Sequence, residues 1–355
     1  MTTAREFAAR LLRTSSRAYA AAAVERLQRT HATVLADGLP DGFADPLDDT
    51  QVRILHLAES VAVDRPALLE HAVAWYKVAL HHRGVSDDYL PSNLAAIADA
   101  LRDELPGEAR DVVATHLAAA RARVFAAPTE VPSFLSRSAP HGDVAARFLL
   151  AVLEGRGDDA VDLVREALRD GVEIADVHDH VLTPVQRESG RMWSMGEITI
   201  ADEHYGSSIV DRVLWMLQDR VPRAPADAPR VVTLGAGGDL HELGLRMVAQ
   251  RLQLAGFVVH HLGCNLPAAE LELVLEHQRV DLVAIAATLT LHLGTVASAI
   301  AHLRTLPRAH GVPVLVGGEP FRIVPDLHTR IGADAAAGDA SGAVAAARRL
   351  SFRRT

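Results

Sequence analysis

Ten residues in the last third of the chain read Gly235-Ala236-Gly237-Gly238-Asp239-Leu240-His241-Glu242-Leu243-Gly244, directly after a short apolar run. An imidazole two residues beyond a carboxylate, on a loop at a strand's end, suits metal ligation. One ring nitrogen can reach a metal while the carboxylate holds the other. As a dinucleotide fingerprint the loop fails, because Leu240 stands where the third glycine belongs. The acidic residue due about 20 positions on is also missing, the chain there running through His260 and His261. Read alone, the histidine is equally a cap of the next helix. A second group is Trp193 followed by Ile200 and by Glu203-His204; taken by itself it is a core tryptophan and an exposed helix start. A third lies between Glu70 and Tyr89, where Trp75, Lys77, His81, His82, Arg83 and Tyr89 crowd one helix and its following loop. Such residues could line a tetrapyrrole pocket, with Arg83 or Lys77 pairing propionates. The alternative is a dimerising helical domain with Trp75 and Leu80 in its core.

The elements that must position these groups fall into three regions. Residues 1–130 have helical periodicity throughout, broken at Asp37 to Pro46, Val63 to Pro66, Gly84 to Asp88 and Pro106-Gly107, which predicts five or six helices and no strand. The apolar spacing of Phe7, Leu11, Leu12, Tyr19, Val24 and Leu27 predicts one amphipathic opening helix over Met1 to Ala32. A Pro- and Ser-rich linker, Ala127 to Gly142, leads to a helical block over 143–221. Its breaks at Gly155 to Gly157, Gly171 and Gly196 fit a four-helix bundle. Over 229–352, apolar runs at 230–234, 257–262, 282–287, 312–316 and 333–337 alternate with helical stretches near 242–254, 268–277, 294–305 and 341–350. That alternation predicts βαβ units and a parallel sheet with helices on both faces, with ligands beyond the carboxyl ends of the strands.

Composition narrows the classes. With 49% hydrophobic and 23% charged residues the chain is globular, and at 355 residues it is too long for one ordinary core. The net charge of −9, with 14 basic against 18 acidic side chains in residues 1–130, argues against a nucleic-acid footprint. A single cysteine, Cys264, closes no intrachain disulfide and points to a reducing cytoplasm. No run approaches a membrane span. Of the 36 basic residues only Lys77 is a lysine.

With Asp-x-His-x-x-Gly at a strand's end, the last region resembles the Rossmann-like cobalamin-binding domain. The resemblance implies that His241 is the lower axial cobalt ligand, with Asp239 and Gly244 completing the motif. Gly263, in the segment His261-Leu-Gly-Cys-Asn-Leu-Pro267, fits the same family, as does the pair Gly317-Gly318, where a side chain would collide with a nucleotide tail. Where the family offers Ser-x-Leu on its third strand, this chain has Ala286-Ala287-Thr288-Leu289-Thr290, leaving Thr288 or Thr290 to supply the hydroxyl. The helical block resembles the bundle that caps the upper face of the cofactor. Its Trp193 and Glu203-His204 resemble the light-sensing adenosylcobalamin proteins rather than the methyl-carrying shuttles. That implies Trp193, Ile200, Glu203 and His204 around the adenosyl group, the ring excluding water and the carboxylate accepting from ribose hydroxyls. Ser194 stands where those proteins often place a histidine, and no basic helix-turn-helix precedes the block.

The whole order, an all-α, globin-like N-terminal domain before a cap and an α/β domain, resembles the photocobilins, photoreceptors that use adenosylcobalamin and biliverdin. It implies a biliverdin near Trp75, His81, His82, Arg83 and Tyr89, held without a covalent link because Cys264 lies elsewhere. The expectation is a light sensor rather than an enzyme, homo-oligomeric with light-dependent assembly and acting on a separate effector, with no nucleic-acid or membrane partner. A corrinoid methyl-transfer shuttle and a heme or oxygen sensor are the alternatives.

Overall fold

The structure, a computed structural model, describes residues 3–31 and 45–351. It divides into two compact units, Met1–Val131 and Pro132–Thr355. The first unit is helical: α1 (Ala4–Thr14), α2 (Ser16–Thr30), α3 (Pro46–Val63), α4 (Pro66–His81), α5 (Tyr89–Glu104) and α6 (Gly107–Ala126). The single opening helix expected over Met1 to Ala32 is two helices. Ser15 leaves helical geometry (φ −116°, ψ 16°), ending α1 and starting α2, and both halves pack on α3. Their arginines meet its acids: Arg5 reaches Asp64 at 2.6 Å, Arg17 reaches Asp48 at 2.7 Å, and Arg13 grips Glu59 with two bonds of 2.6 and 2.9 Å. Most of the break expected at Asp37 to Pro46 lies outside the described residues. At its end Asp45 accepts from the N–H groups of Leu47 and Asp48, with Pro46 in the first turn, which sets the start of α3.

The interior of this unit is not wholly apolar. Arg53 is buried, its Nη1 at 2.5 Å from Asp49 and 2.9 Å from Asn93, with its guanidinium stacked near the rings of Tyr76 and Tyr89. The carboxylate and the ring faces offset the buried charge, while Nε and Nη2 of the same guanidinium have no hydrogen-bond partner among the described residues. Lys77, the sole lysine, donates to the carbonyls of Val124 and Ala127 at 2.8 and 2.6 Å, so it closes the C-terminal end of α6.

The second unit begins with a helical layer: α7 (Gly142–Leu153), α8 (Gly157–Arg169), a third helix assembled from α9 (Ile174–Asp176), a π turn (Val177–Leu182) and α10 (Thr183–Ser194), and α11 (Ile200–Gln218). Pro184 explains the widened turn, because it offers no N–H to residue 180 and its ring crowds the carbonyl there. The sheet follows: β1 (Arg230–Gly235), α12 (Leu243–Leu254), β2 (Val258–His261), α13 (Ala268–His277), β3 (Leu282–Ala286), α14 (Leu293–Thr305), β4 (Val314–Gly317), α15 (Glu319–Ile323), α16 (Leu327–Arg330), β5 (Ala335–Ala337) and α17 (Ala340–Ser351). All neighbours are parallel, in the order β2-β1-β3-β4-β5. The fold is thus a helical bundle with a Rossmann-like sheet, preceded by an all-α unit. The strands are shorter than the apolar runs, because Phe257 and Val312 are buried core residues outside the hydrogen-bonded ladder.

Bundle and sheet meet along α12. His178, in the π turn, pairs its Nε2 with Gln250 Oε1 at 2.9 Å, and Gln250 donates to the carbonyl of Leu214 at 2.7 Å. Burial pushes the His178 pKa down to about 4, against the Gln250 bond that favours the proton. The unfolded chain binds that proton near pH 6.5, so stability from the neutral ring is complete above about 6.5 and is lost as pH falls toward 4. Unfolding in urea should therefore weaken across this window by up to about 1.4 kcal/mol per pH unit. The His178→Leu variant should show a shallower slope, and equal slopes would refute the assignment.

Candidate functional site

Strand order reverses between β1 and β3, so the loops leaving those strands open a crevice at the carboxyl edge of the sheet. Asp239 and His241 stand on the first loop. The Asp239 carboxylate is buried, and its Oδ1 accepts from His241 Nδ1 at 2.8 Å and from His241 N–H at 3.0 Å. Its Oδ2 accepts from Thr288 N–H at 2.6 Å on the second loop, and His292 Nδ1 lies 3.4 Å away. Burial alone would raise the Asp239 pKa. His241, His292 and the two backbone N–H groups instead hold it well below the usual carboxylate range.

An ionised carboxylate only accepts, so Nδ1 of His241 carries the proton and Nε2 of the neutral ring keeps its lone pair. The ring is 58% exposed. The Asp239 bond raises the His241 pKa against the cost of burial, and the charges of Asp239 and of Glu203 on α11 add to the rise.

The surroundings fit a broad apolar ligand bearing a metal. Leu240 and Ile200, beside His241 and one turn before Glu203, are 78% and 60% exposed, and Leu289 is exposed next to Thr288. A Cβ at Gly244 would meet nothing within 4 Å, so protein packing does not demand glycine there. At Gly318 the opposite holds. Its φ is 109°, and a Cβ would lie 2.0 Å from the carbonyl oxygen of Ala287; at Gly317 a Cβ would lie 3.2 Å from that of Ala337. The chain's own turns, not only a threaded tail, account for this pair. Thr288 reaches the site through its backbone N–H, where a hydroxyl had been expected. Cys264 is no ligand of choice, since burial and the Asp239 and Glu242 charges push its thiol up to about 12.

Sequence reasoning missed three contributors. His292 sits four residues past Thr288, in no recognised motif. Asn265, held at φ 59°, accepts from Gly238 N–H at 2.9 Å and fixes the loop. Glu242 accepts from both Arg246 and His261, at 2.5 and 3.2 Å; only its place after His241 hinted at a role.

On the bundle, Trp193 is half-buried and Ser194 is buried, its hydroxyl donating to the Arg191 carbonyl at 2.7 Å. Arg191 spans Glu188 and Glu197 and so fixes the turn after Trp193. Glu203 accepts from Ser207 at 2.7 Å, while His204 stands exposed 3.7 Å from the Glu203 carboxylate.

The N-terminal cluster does not converge. Tyr89 points into the core and donates to Asp49 at 2.8 Å. His81 pairs with Asp87 at 2.8 Å, His82 with the Thr129 carbonyl at 2.9 Å, and Arg83 donates to the Ala79 carbonyl of its own helix. Trp75 is 39% exposed and stands edge-on to Tyr76. Lys77 caps α6 instead of meeting a propionate.

Residues 229–348 and 144–218 match two family models, each described as a B12 binding domain. Dimethylamine corrinoid protein 1 of Methanosarcina acetivorans is 26% identical over 194 residues, which span 54% of this chain and 90% of that protein. The HTH-type transcriptional repressor CarH of Myxococcus xanthus is 29% identical over 185 residues, 52% of this chain and 60% of the repressor. The solved structure of the Methanosarcina barkeri monomethylamine corrinoid protein covers 59% of this chain and all of its own, with a TM-score of 0.53 at 21% identity, a likeness of fold. The second unit is thus a cobalamin-binding module. Among the described residues no helix is long and apolar enough to cross a membrane.

Because Asp239 is what raises the His241 pKa, Asp239→Asn should return the apoprotein's His241 ring toward the ordinary imidazole value. Histidine NMR titration measures it; an unmoved pKa would show that the carboxylate does not set the tautomer.

Proposed function

We propose that the chain is an adenosylcobalamin-dependent light sensor, with residues 143–221 as the cap and 229–352 as the cobalamin domain. The observation that carries the reading is the His241 ring itself. Asp239 fixes its tautomer, its Nε2 stays open at the sheet's switch point, and Glu203 of the bundle faces it. When bound, adenosylcobalamin supplies a cobalt–carbon bond that light breaks. His241 Nε2 is the lower ligand in this reading, and Asp239 keeps the proton on Nδ1. Trp193 and Ile200 exclude water from the upper face. Glu203, steadied by Ser207, accepts from ribose hydroxyls, and His204 closes the rim. Gly244, Gly317 and Gly318 leave the backbone near the ligand uncovered, with Thr288 beside them. The bundle residues Trp193, Ile200, Glu203 and His204 would hold the adenosyl side against the sheet, so the packing of bundle or subunits would depend on whether that group is bound.

Residues 1–130 are the sensor's second part in this reading, taking a non-covalent biliverdin along the exposed Trp75, which stands edge-on to the buried Tyr76. Trp75, His81, His82, Arg83 and Tyr89 contribute only if the contacts described above rearrange. A corrinoid shuttle is the second reading, favoured by the 90% coverage of the dimethylamine corrinoid protein.

Protein reconstituted in the dark should change its absorption spectrum irreversibly under green light, and Trp193→Ala or Glu203→Ala should each lose about 1 to 3 kcal/mol of preference for adenosylcobalamin over methylcobalamin. A wild-type preference for methylcobalamin would hand the function to the shuttle reading. Added biliverdin should give a red band removable by acid denaturation; its absence would leave the first unit without a pigment.

A further inference from the structure

Glu242 follows His241 and precedes the first residue of α12, and its carboxylate is the meeting point of a separate network. Its Oε1 accepts from Arg246 Nη2 at 2.5 Å and lies 3.2 Å from His261 Nε2, whose Nδ1 lies 2.9 Å from Thr233 Oγ1 on β1. The other edge of the Arg246 guanidinium reaches Asp211 of α11 at 2.5 Å, and its face lies 5.0 Å from the ring centre of Trp215 on the same helix. One planar cation is thus held on two edges and one face by groups from both layers. This geometry tolerates little rotation of any member. Asp211 and Glu203 are eight residues apart on α11, about 12 Å along its axis.

We propose that Arg246 is a positioning residue that ties the His241 loop to the bundle, so that engagement of His241 by a corrinoid is felt at Trp215. A shift of the loop must either pull Glu242 off Arg246 or carry Arg246, and with it Asp211 and Trp215, along. Trp215 is 62% exposed and carries the Arg246 guanidinium on its ring, so movement of Arg246 alters its environment. The inference rests on the cobalamin reading and adds to it the route from the sheet loop to α11.

The test uses the full chain labelled with 5-fluorotryptophan, whose three residues Trp75, Trp193 and Trp215 are assigned by single Trp→Phe changes. Adenosylcobalamin is added in the dark, and its uptake is followed by absorbance. Wild type should show shifts of both the Trp193 and the Trp215 fluorine signals. In Arg246→Gln and in Arg246→Lys the corrinoid should still be taken up with a Trp193 shift, while Trp215 stays at its apoprotein position. An unmoved Trp215 in the wild-type holoprotein, or a full Trp215 shift in the variants, overturns the proposal. Should Arg246→Gln fail to fold, Arg246→Lys decides alone, since it keeps the positive charge but has no planar fork to bridge Glu242 and Asp211 at once. Wild type that takes up no corrinoid defeats the cobalamin reading itself, and this inference with it.

Discussion

A carboxylate buried at the edge of a sheet is costly unless its lone pairs are met, and Asp239 is met from two loops at once. That single requirement shapes the site. The loop after β1 must double back so that His241 reaches the residue two before it. The loop after β3 must also approach closely enough for Thr288 to give its N–H. Only where strands β1 and β3 are neighbours, with connections leaving on opposite sides, do both loops converge on one carboxylate. The parallel order of the sheet is therefore a condition of the ionised Asp239, and the ionised Asp239 is a condition of an imidazole with one nitrogen left open.

Much of this was legible in advance because it is local. Asp239 and His241 are two residues apart, and the alternation of apolar runs with helical stretches foretold the parallel sheet. The glycine breaks of the helical block foretold its layering. What was not legible depends on neighbours distant in sequence. Thr288 offers a main-chain group, which any residue type would offer, so no letter of the sequence marks it. His292 and Asn265 act across the crevice between separate loops. The break at Ser15 escaped notice because the apolar periodicity runs straight through it; it shows only in the packing of α1 and α2 on α3, a neighbour distant in sequence.

The cluster from Trp75 to Tyr89 shows the converse failure. Six residues of types suited to a pigment lie within fifteen positions, yet a helix turns successive side chains about its axis, and each found a nearer partner. Tyr89 answers to the buried Arg53 and Asp49 pair, a demand invisible from its own surroundings in the chain. Proximity in sequence gave a pair of interacting groups at Asp239 and His241 because a carboxylate there had no competing cation, whereas at Tyr89 a charged interior competed and won.

The carbonyl-bound Lys77 has a consequence for how this molecule meets other chemistry. Elsewhere its basic side chains are guanidinium or imidazole groups, so amine-coupling crosslinkers and aldehydes find one side-chain amine, half-buried and occupied by the end of α6. Acylating it would remove the charge and the donors that close that helix. The side chains thus offer amine-directed reagents almost no foothold, and tethering to a surface or labelling of the folded protein is better directed at its abundant carboxylates.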